Sequence, residues 1–372
     1  MEIFRIVPLS FGAFSSSSFR LGSGTVTCSV PIKDLDGRPM VAVGCDEGIW
    51  VGFRDDPQCN SRLIPCLVLI LKVDLAMRQA LRLKTVTQCA ALGEFGLLLV
   101  LANKALYAYC IDSLLLGSPA TPNTVAENSP KISGDMEIHQ FRVGKLDGHT
   151  LIITVQRRGL DSIFRLLEPE WIEDRRRSHA MQTTVAFKKN REFYIPSPTY
   201  DVVFLKAKLA ILNTNGFEIL DLDEFKSVNI PPRNEGFFKR LFSTQPLNKP
   251  LAIFATHGGA KFILCYDTFG LYVDRHGDPH PDTEKIEWSG TAEHAALHSS
   301  CILLFSRHCI EVRDLQTAKL MQKMQGSNIQ CLWDGRGADA WMRQQSGVMI
   351  VDSVAVGNRI QHEIHELRLA TD

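Results

Sequence analysis

The sequence has 372 residues, 45% of them apolar and 22% charged, with 41 Lys and Arg against 41 Asp and Glu. That apolar fraction excludes a mainly disordered chain. Zero net charge removes the electrostatic footprint on which nucleic-acid affinity rests, and argues against a polybasic membrane-surface protein.

Residues 1–24 are read as an N-terminal segment that supplies a ring-closing strand, ahead of a single domain over residues 25–372. The opening MEIFRIVPLS has no basic stretch before a long apolar run, so no signal peptide is expected. The first clear unit is Met40–Phe53 (MVAVGCDEGIWVGF), an apolar strand, a tight polar turn and a second strand. Arg62–Met77 (RLIPCLVLILKVDLAM) follows and is read as an atypical insertion. Its apolar run Leu63–Leu71 is nine residues long, where a membrane-spanning helix needs about 20.

The strand–turn–strand unit recurs at Leu97–Ile111, Leu151–Leu167, Leu209–Leu222, Phe262–Val273, Ile302–Leu315 and Ala340–Val351. Marked by Gly48, Ala105, Gly159, Gly216, Gly270, His308 and Gly347, the steps are 57, 54, 57, 54, 38 and 39 residues. Residues 116–131, 168–196 and 231–250 are read as inter-blade loops. One hairpin cannot bury its own faces, and stacked copies can. The count therefore predicts an all-β chain, a seven-bladed β-propeller of about 53 residues per blade (372 over seven). A pair of β-sandwiches is the alternative, because it also spaces strands evenly.

Ten cysteines without a CxxC pair, and no N-x-S/T sequon, fit a reducing compartment, so the cysteines are read as small buried hydrophobes of a cytoplasmic chain. Gly335–Ala340 matches GxGxxA by letters, but a dinucleotide site needs that turn between a strand and a long helix, so a blade turn is expected. His257-Gly258-Gly259 resembles an oxyanion-loop fragment without a nucleophile. The pairs His276/His280, His294/His298 and His362/His365 (the last beside Glu363 and Glu366) each lack a motif-grade third ligand; His294 and His298 would align on a helical turn. Cys301 and Cys309 are read as core. No catalytic residue, metal or cofactor is expected.

Binding surfaces carry the stronger reading. Phe237, Phe238 and Phe242 alternate with Lys239 and Arg240, the aromatic and basic mixture enriched at interface hot spots. The alternative is that these Phe tuck the loop onto its own blade. Arg175, Arg176 and Arg177 read as a solvated loop, a contact for an acidic partner, or a contact for anionic lipid.

The stretches Val86–Leu114, Gly159–Pro169 (GLDSIFRLLEP), Tyr200–Pro231 and Lys285–Thr317 make the chain recognisable. From about Thr25 to its C-terminus it resembles the citron homology (CNH) domain found at the C-terminus of fungal Rho-type guanine nucleotide exchange factors. Residues 62–77 depart from that pattern. The resemblance implies a seven-bladed propeller that is non-catalytic and binds a Rho-family small GTPase or a signalling scaffold. Exchange activity would reside in a Dbl-homology module, of which this sequence has no trace. It also implies a cytoplasmic domain, monomeric in isolation, with peripheral recruitment to the inner face of the plasma membrane and no transmembrane segment. An adaptor propeller of a vesicle-tethering or kinase-associated protein, and a propeller enzyme with an axial-channel site, are the rival classes.

Overall fold

A computed structural model of the chain describes residues 3–9, 25–34, 36–54, 77–115, 131–174, 182–232, 248–256, 258–279, 285–356 and 359–370. Strand β1 (Phe4–Pro8) comes first. β2 (Val26–Lys33), β3 (Pro39–Cys45), β4 (Gly48–Phe53) and β5 (Arg78–Arg82) form a four-stranded sheet. β6 (Val86–Leu92), β7 (Leu97–Ala102) and β8 (Ala105–Cys110) form a three-stranded one, followed by the short helix α1 (Ile111–Leu115). Then come β9 (Gln140–Leu146), β10 (His149–Arg158), β11 (Asp161–Asp174) and β12 (Gln182–Ile195). The next sheet is β13 (Thr199–Phe204), β14 (Leu209–Asn213), β15 (Gly216–Leu220) and β16 (Ser227–Ile230). β17 (Pro250–Ala255), β18 (Lys261–Tyr266), β19 (Phe269–Asp274) and β20 (Ile286–Glu287) make another. β21 (His294–His298), β22 (Cys301–Phe305), β23 (Cys309–Asp314) and β24 (Leu320–Gln325) follow. Last are β25 (Gln330–Trp333), helix α2 (Ala340–Gln345), β26 (Val348–Val356) and β27 (Arg359–Leu369).

Every sheet is antiparallel and pairs strands adjacent in the chain, with one exception. The final sheet runs β1-β27-β26-β25, so the N-terminal strand is hydrogen-bonded to the C-terminal one, from Phe4 opposite Leu369 to Pro8 opposite His365. Seven sheets are present among the described residues, and the fold is the seven-bladed β-propeller that the repeat count predicts.

The second strands explain how such small sheets hold together. β3, β7, β14, β18 and β22 read as nearly continuous apolar runs and are buried along most or all of their length. A strand covered on both faces needs no polar alternation. The outer strands β16 and β24 do expose side chains.

The chain divides into two compact units. In the first (residues 1–137, 327–334 and 338–372), Ala42 of β3 packs with Val30, Ile32, Leu98 and Val100, while its neighbours Val41 and Val43 pack with Met349, Val351 and Ile364. Alternate residues of one strand thus serve two sheet faces. The second unit (residues 138–326 and 335–337) repeats the device: Leu209 and Ile211 of β14 pack with Ile153, Val155, Phe164 and Leu166, and Ala210 and Leu212 with Phe217, Ile253, Leu264 and Phe269. Each large apolar side chain removed from water in this way contributes about 1.5–3 kcal/mol.

One buried charge ties the first unit together. The Glu366 carboxylate on β27 is fully buried and accepts from the Arg54 guanidinium at 2.8 Å, from Arg368 Nε at 2.7 Å and from the Gly347 N–H at 2.6 Å. The Arg54 guanidinium also donates to the Ser346 hydroxyl at 2.8 Å.

Three expectations are corrected. Residues 168–196, read as a loop, are mostly strand: β11 and β12 are fourteen residues each and pair from Ser162 opposite Ile195 to Asp174 opposite Gln182. The repeat at Ala340–Val351 begins with helix α2, not a strand; six residues (AWMRQQ) are too few to show either period. His294 and His298 are the ends of strand β21, not neighbours on a helical turn. The eight described cysteines are free thiols, four of them (Cys28, Cys45, Cys265 and Cys301) buried.

Candidate functional site

The residues singled out for binding, Phe237, Phe238, Lys239 and Arg240, together with Arg175, Arg176 and Arg177, lie outside the described residues, as does most of the Arg62–Met77 insertion. Their sequence neighbours are described. Arg175–Arg177 follow Asp174, the last residue of β11, and 233–247 connect the β13–β16 sheet to β17.

The β11–β12 hairpin is an unusual element. Fourteen extended residues span about 45 Å, against four to seven residues for most other strands. Trp171 lies near its far end and is 54% exposed. Pairing shifts between Leu166 and Leu167, so Leu166 faces Arg191 while Leu167 faces Lys189. That irregularity turns the outer part of the hairpin over relative to the inner part.

Among the described residues, an aromatic and basic pairing of the kind expected at Phe237–Arg240 occurs at Phe225. This ring is 50% exposed, and its backbone is held at φ +53°. A bulky residue in the left-handed region costs about 1–2 kcal/mol. The turn Asp221–Lys226 enforces it: Asp221 N–H donates to Lys226 O, and Asp221 Oδ1 accepts from the N–H groups of Asp223 and Glu224. The Phe225 ring meets Phe193 edge-on at 6.2 Å, and Phe193 stacks on the buried Phe164 at 4.8 Å. Arg191 lies 5.2 Å above the Phe225 ring and donates to Leu222 O. Three rings in contact therefore lead from the core to an exposed aromatic side chain beside a guanidinium. Sequence reasoning missed this surface, because Phe225 stands alone in a polar turn and Arg191 joins it through sheet packing.

A second group lies in the same unit. Asp201 on β13 accepts from Arg142 Nε on β9 at 2.6 Å and from Arg336 Nη1 at 2.9 Å. Arg336 Nη2 lies 3.4 Å from His294 Nε2 on β21. The Gly335-Arg336-Gly337 segment, flagged by its letters as a weak phosphate-loop match, is a turn that delivers Arg336 to this point. A Cβ at Gly337, where φ is +68°, would fall 2.0 Å from Val143 O, so only glycine lets the turn lie against β9.

Burial alone would raise the Asp201 carboxyl; the charges of Arg142 and Arg336, with hydrogen bonds from Arg142 and the Val202 N–H, outweigh it and bring it down to about 2. A carboxyl whose pKa is lower when folded takes up its proton less readily in the folded chain. Its contribution to stability is complete above the ordinary range near 4 and is lost as pH falls toward 2. Denaturant melts at stepped pH should show that loss in the wild type and a flatter acid limb in Asp201→Asn. Equal slopes would mean that the carboxylate is not tied in the folded chain.

Among the described residues no three His, Cys, Asp or Glu side chains are grouped so as to hold a metal ion. No helix of the described residues is long and apolar enough to cross a membrane.

Comparison with known proteins agrees with this architecture. The family model described as CNH domain matches residues 37–335. The chain is 29% identical over 329 residues to Rho1 guanine nucleotide exchange factor 1 of Schizosaccharomyces pombe, covering 86% of this chain and 23% of that protein. It is 27% identical over 307 residues to Rho1 guanine nucleotide exchange factor 2 of the same yeast, covering 81% and 24%. RHO1 GDP-GTP exchange protein 2 of Saccharomyces cerevisiae is 24% identical over 254 residues, covering 68% and 18%. The chain thus spans about a quarter or less of the length of these relatives. Among solved structures, the AfRom2 CNH domain superposes with a TM-score of 0.72 at 25% identity, over 98% of this chain and 99% of that one.

Proposed function

The chain belongs to the CNH domain family, and on that premise we propose that it is the non-catalytic interaction propeller of a Rho-type guanine nucleotide exchange factor, binding a Rho-family GTPase or a signalling scaffold. The relatives supply the setting, since those it matches are named as Rho1 exchange factors. The observation that carries the binding role is the strained, half-exposed Phe225 beside Arg191. Aromatic and Arg side chains dominate interface hot spots. A bulky residue kept in a costly conformation at the surface points to a use outside the fold. Phe237, Phe238, Lys239 and Arg240, with Arg175, Arg176 and Arg177, belong to the same proposal as further basic and aromatic contacts.

The mechanism is docking. Holding the GTPase near a linked exchange module raises its effective concentration there, without any chemistry in the propeller. Such a domain works in the cytoplasm and joins the inner face of the plasma membrane through its partner. A pull-down of Rho-family proteins loaded with GDP or a GTP analogue, using the chain with its fold checked by circular dichroism, is expected to retain at least one of them. Retention of none would remove direct GTPase contact from the proposal.

A further inference from the structure

The Arg142–Asp201–Arg336 group has more donors than its carboxylate uses. Arg142 spends its Nε on Asp201 Oδ1, and its side chain stays 31% exposed. A guanidinium has five N–H donors, so the four on the two Nη atoms of Arg142 remain available. Both Asp201 oxygens are occupied: Oδ1 by Arg142 and by the Val202 N–H, Oδ2 by Arg336. The Arg142 guanidinium therefore offers a positive charge and unspent donors at this point.

Two further polar atoms on the same two strands lack partners. Gln140 stands two residues before Arg142 on β9, in regular pairing with β10, so both side chains share one face. Its Nε2 is buried with no acceptor. Thr199, on β13, pairs with Asn213, which lies on the same strand face as the Leu209 and Ile211 packed toward the β9–β12 sheet. Its residue is 2% exposed, and its hydroxyl has no partner. Buried donors without acceptors are costly and uncommon, and here they stand on the facing sides of the two sheets that supply Arg142 and Asp201.

We propose that Arg142, with Arg336 and His294 beside it, forms a binding site for a phosphate monoester. The guanidinium fork matches two phosphate oxygens at once. The Gly-Arg-Gly turn pressed on Val143 fixes Arg336 next to Arg142, so the two cations are built into the fold instead of meeting by chance at a mobile surface. Asp201 keeps both guanidiniums oriented. The phosphate group would be carried either by a small soluble molecule or by a phosphoinositide headgroup.

The test uses the full chain and isothermal titration with inorganic phosphate and with inositol trisphosphate. Saturable binding is expected, weakened roughly tenfold or more by Arg142→Gln or Arg336→Gln, and less by Arg142→Lys. Arg157→Gln, on the exposed part of β10, should leave it unchanged. Melting curves identify any variant that fails to fold, and Arg142→Lys keeps the charge that Asp201 needs. Sedimentation with phosphatidylcholine vesicles, with and without phosphatidylinositol bisphosphate, separates the sources. Retention that depends on the bisphosphate lipid and on Arg142 assigns a headgroup; soluble binding without retention assigns a free phosphate. No saturable binding, or binding that survives both Arg142→Gln and Arg336→Gln in folded protein, overturns the proposal.

Discussion

Replacing Glu366 with alanine is expected to destabilise the chain by about 3–5 kcal/mol, because it removes a fully buried carboxylate that accepts from the Arg54 and Arg368 guanidiniums and from the Gly347 N–H. The Arg54 side chain is 10% exposed, and its guanidinium also donates to the Ser346 hydroxyl. Gly347 N–H loses its acceptor in the same change. Most domains have only about 5–15 kcal/mol in total, so urea midpoints should fall sharply and the variant will be marginal at body temperature. Glu366→Gln keeps the shape and one acceptor oxygen and should lose less than alanine. A drop below about 1 kcal/mol for alanine would show that the Arg54 charge is compensated without Glu366.

Phe225 separates binding from stability. Phe225→Asn should weaken partner binding by about 2 kcal/mol, or some thirtyfold, the size of a hot-spot truncation. Stability should stay within about 1 kcal/mol of wild type. Asn tolerates the left-handed backbone that Phe resists, which offsets the lost contact with Phe193 and Arg191. Arg191→Ala should weaken binding in the same direction. If Phe225→Asn unfolds the chain, the ring is core and its strain is structural. If it binds as well as wild type, the partner docks elsewhere.

The blades were legible in the sequence because their second strands carry their signal locally. Runs such as LLLVLA and CILLF are apolar throughout, and the turns at Gly48, Gly159 and Gly216 punctuate them. The long hairpin was not legible, because β11 and β12 leave the core after Leu167 and their outer halves (EPEWIED, QTTVAFKK) have the polar composition of a loop. Only cross-strand pairing makes them strands. The helix at Ala340–Gln345 was hidden for the opposite reason: six residues are too few to show a helical period.

The polar group shows the same limit at longer range. Arg142, Asp201, His294 and Arg336 come from three sheets and a turn, separated by up to 194 residues in the chain (Arg142 to Arg336). No spacing rule connects them. Gly335 and Gly337 were visible as a motif, but the use of Gly337 is steric: it lets the turn that carries Arg336 lie close to β9.

The most direct measurement of the interaction role is the affinity of the chain for Rho-family GTPases, by biolayer interferometry in both nucleotide states, with Phe225→Asn and Arg191→Ala run alongside wild type. Saturable binding to at least one GTPase, weakened in both variants while their melting curves stay near wild type, is the predicted result. Absence of binding to every GTPase by folded wild-type protein, or equal binding by all three proteins, would contradict it.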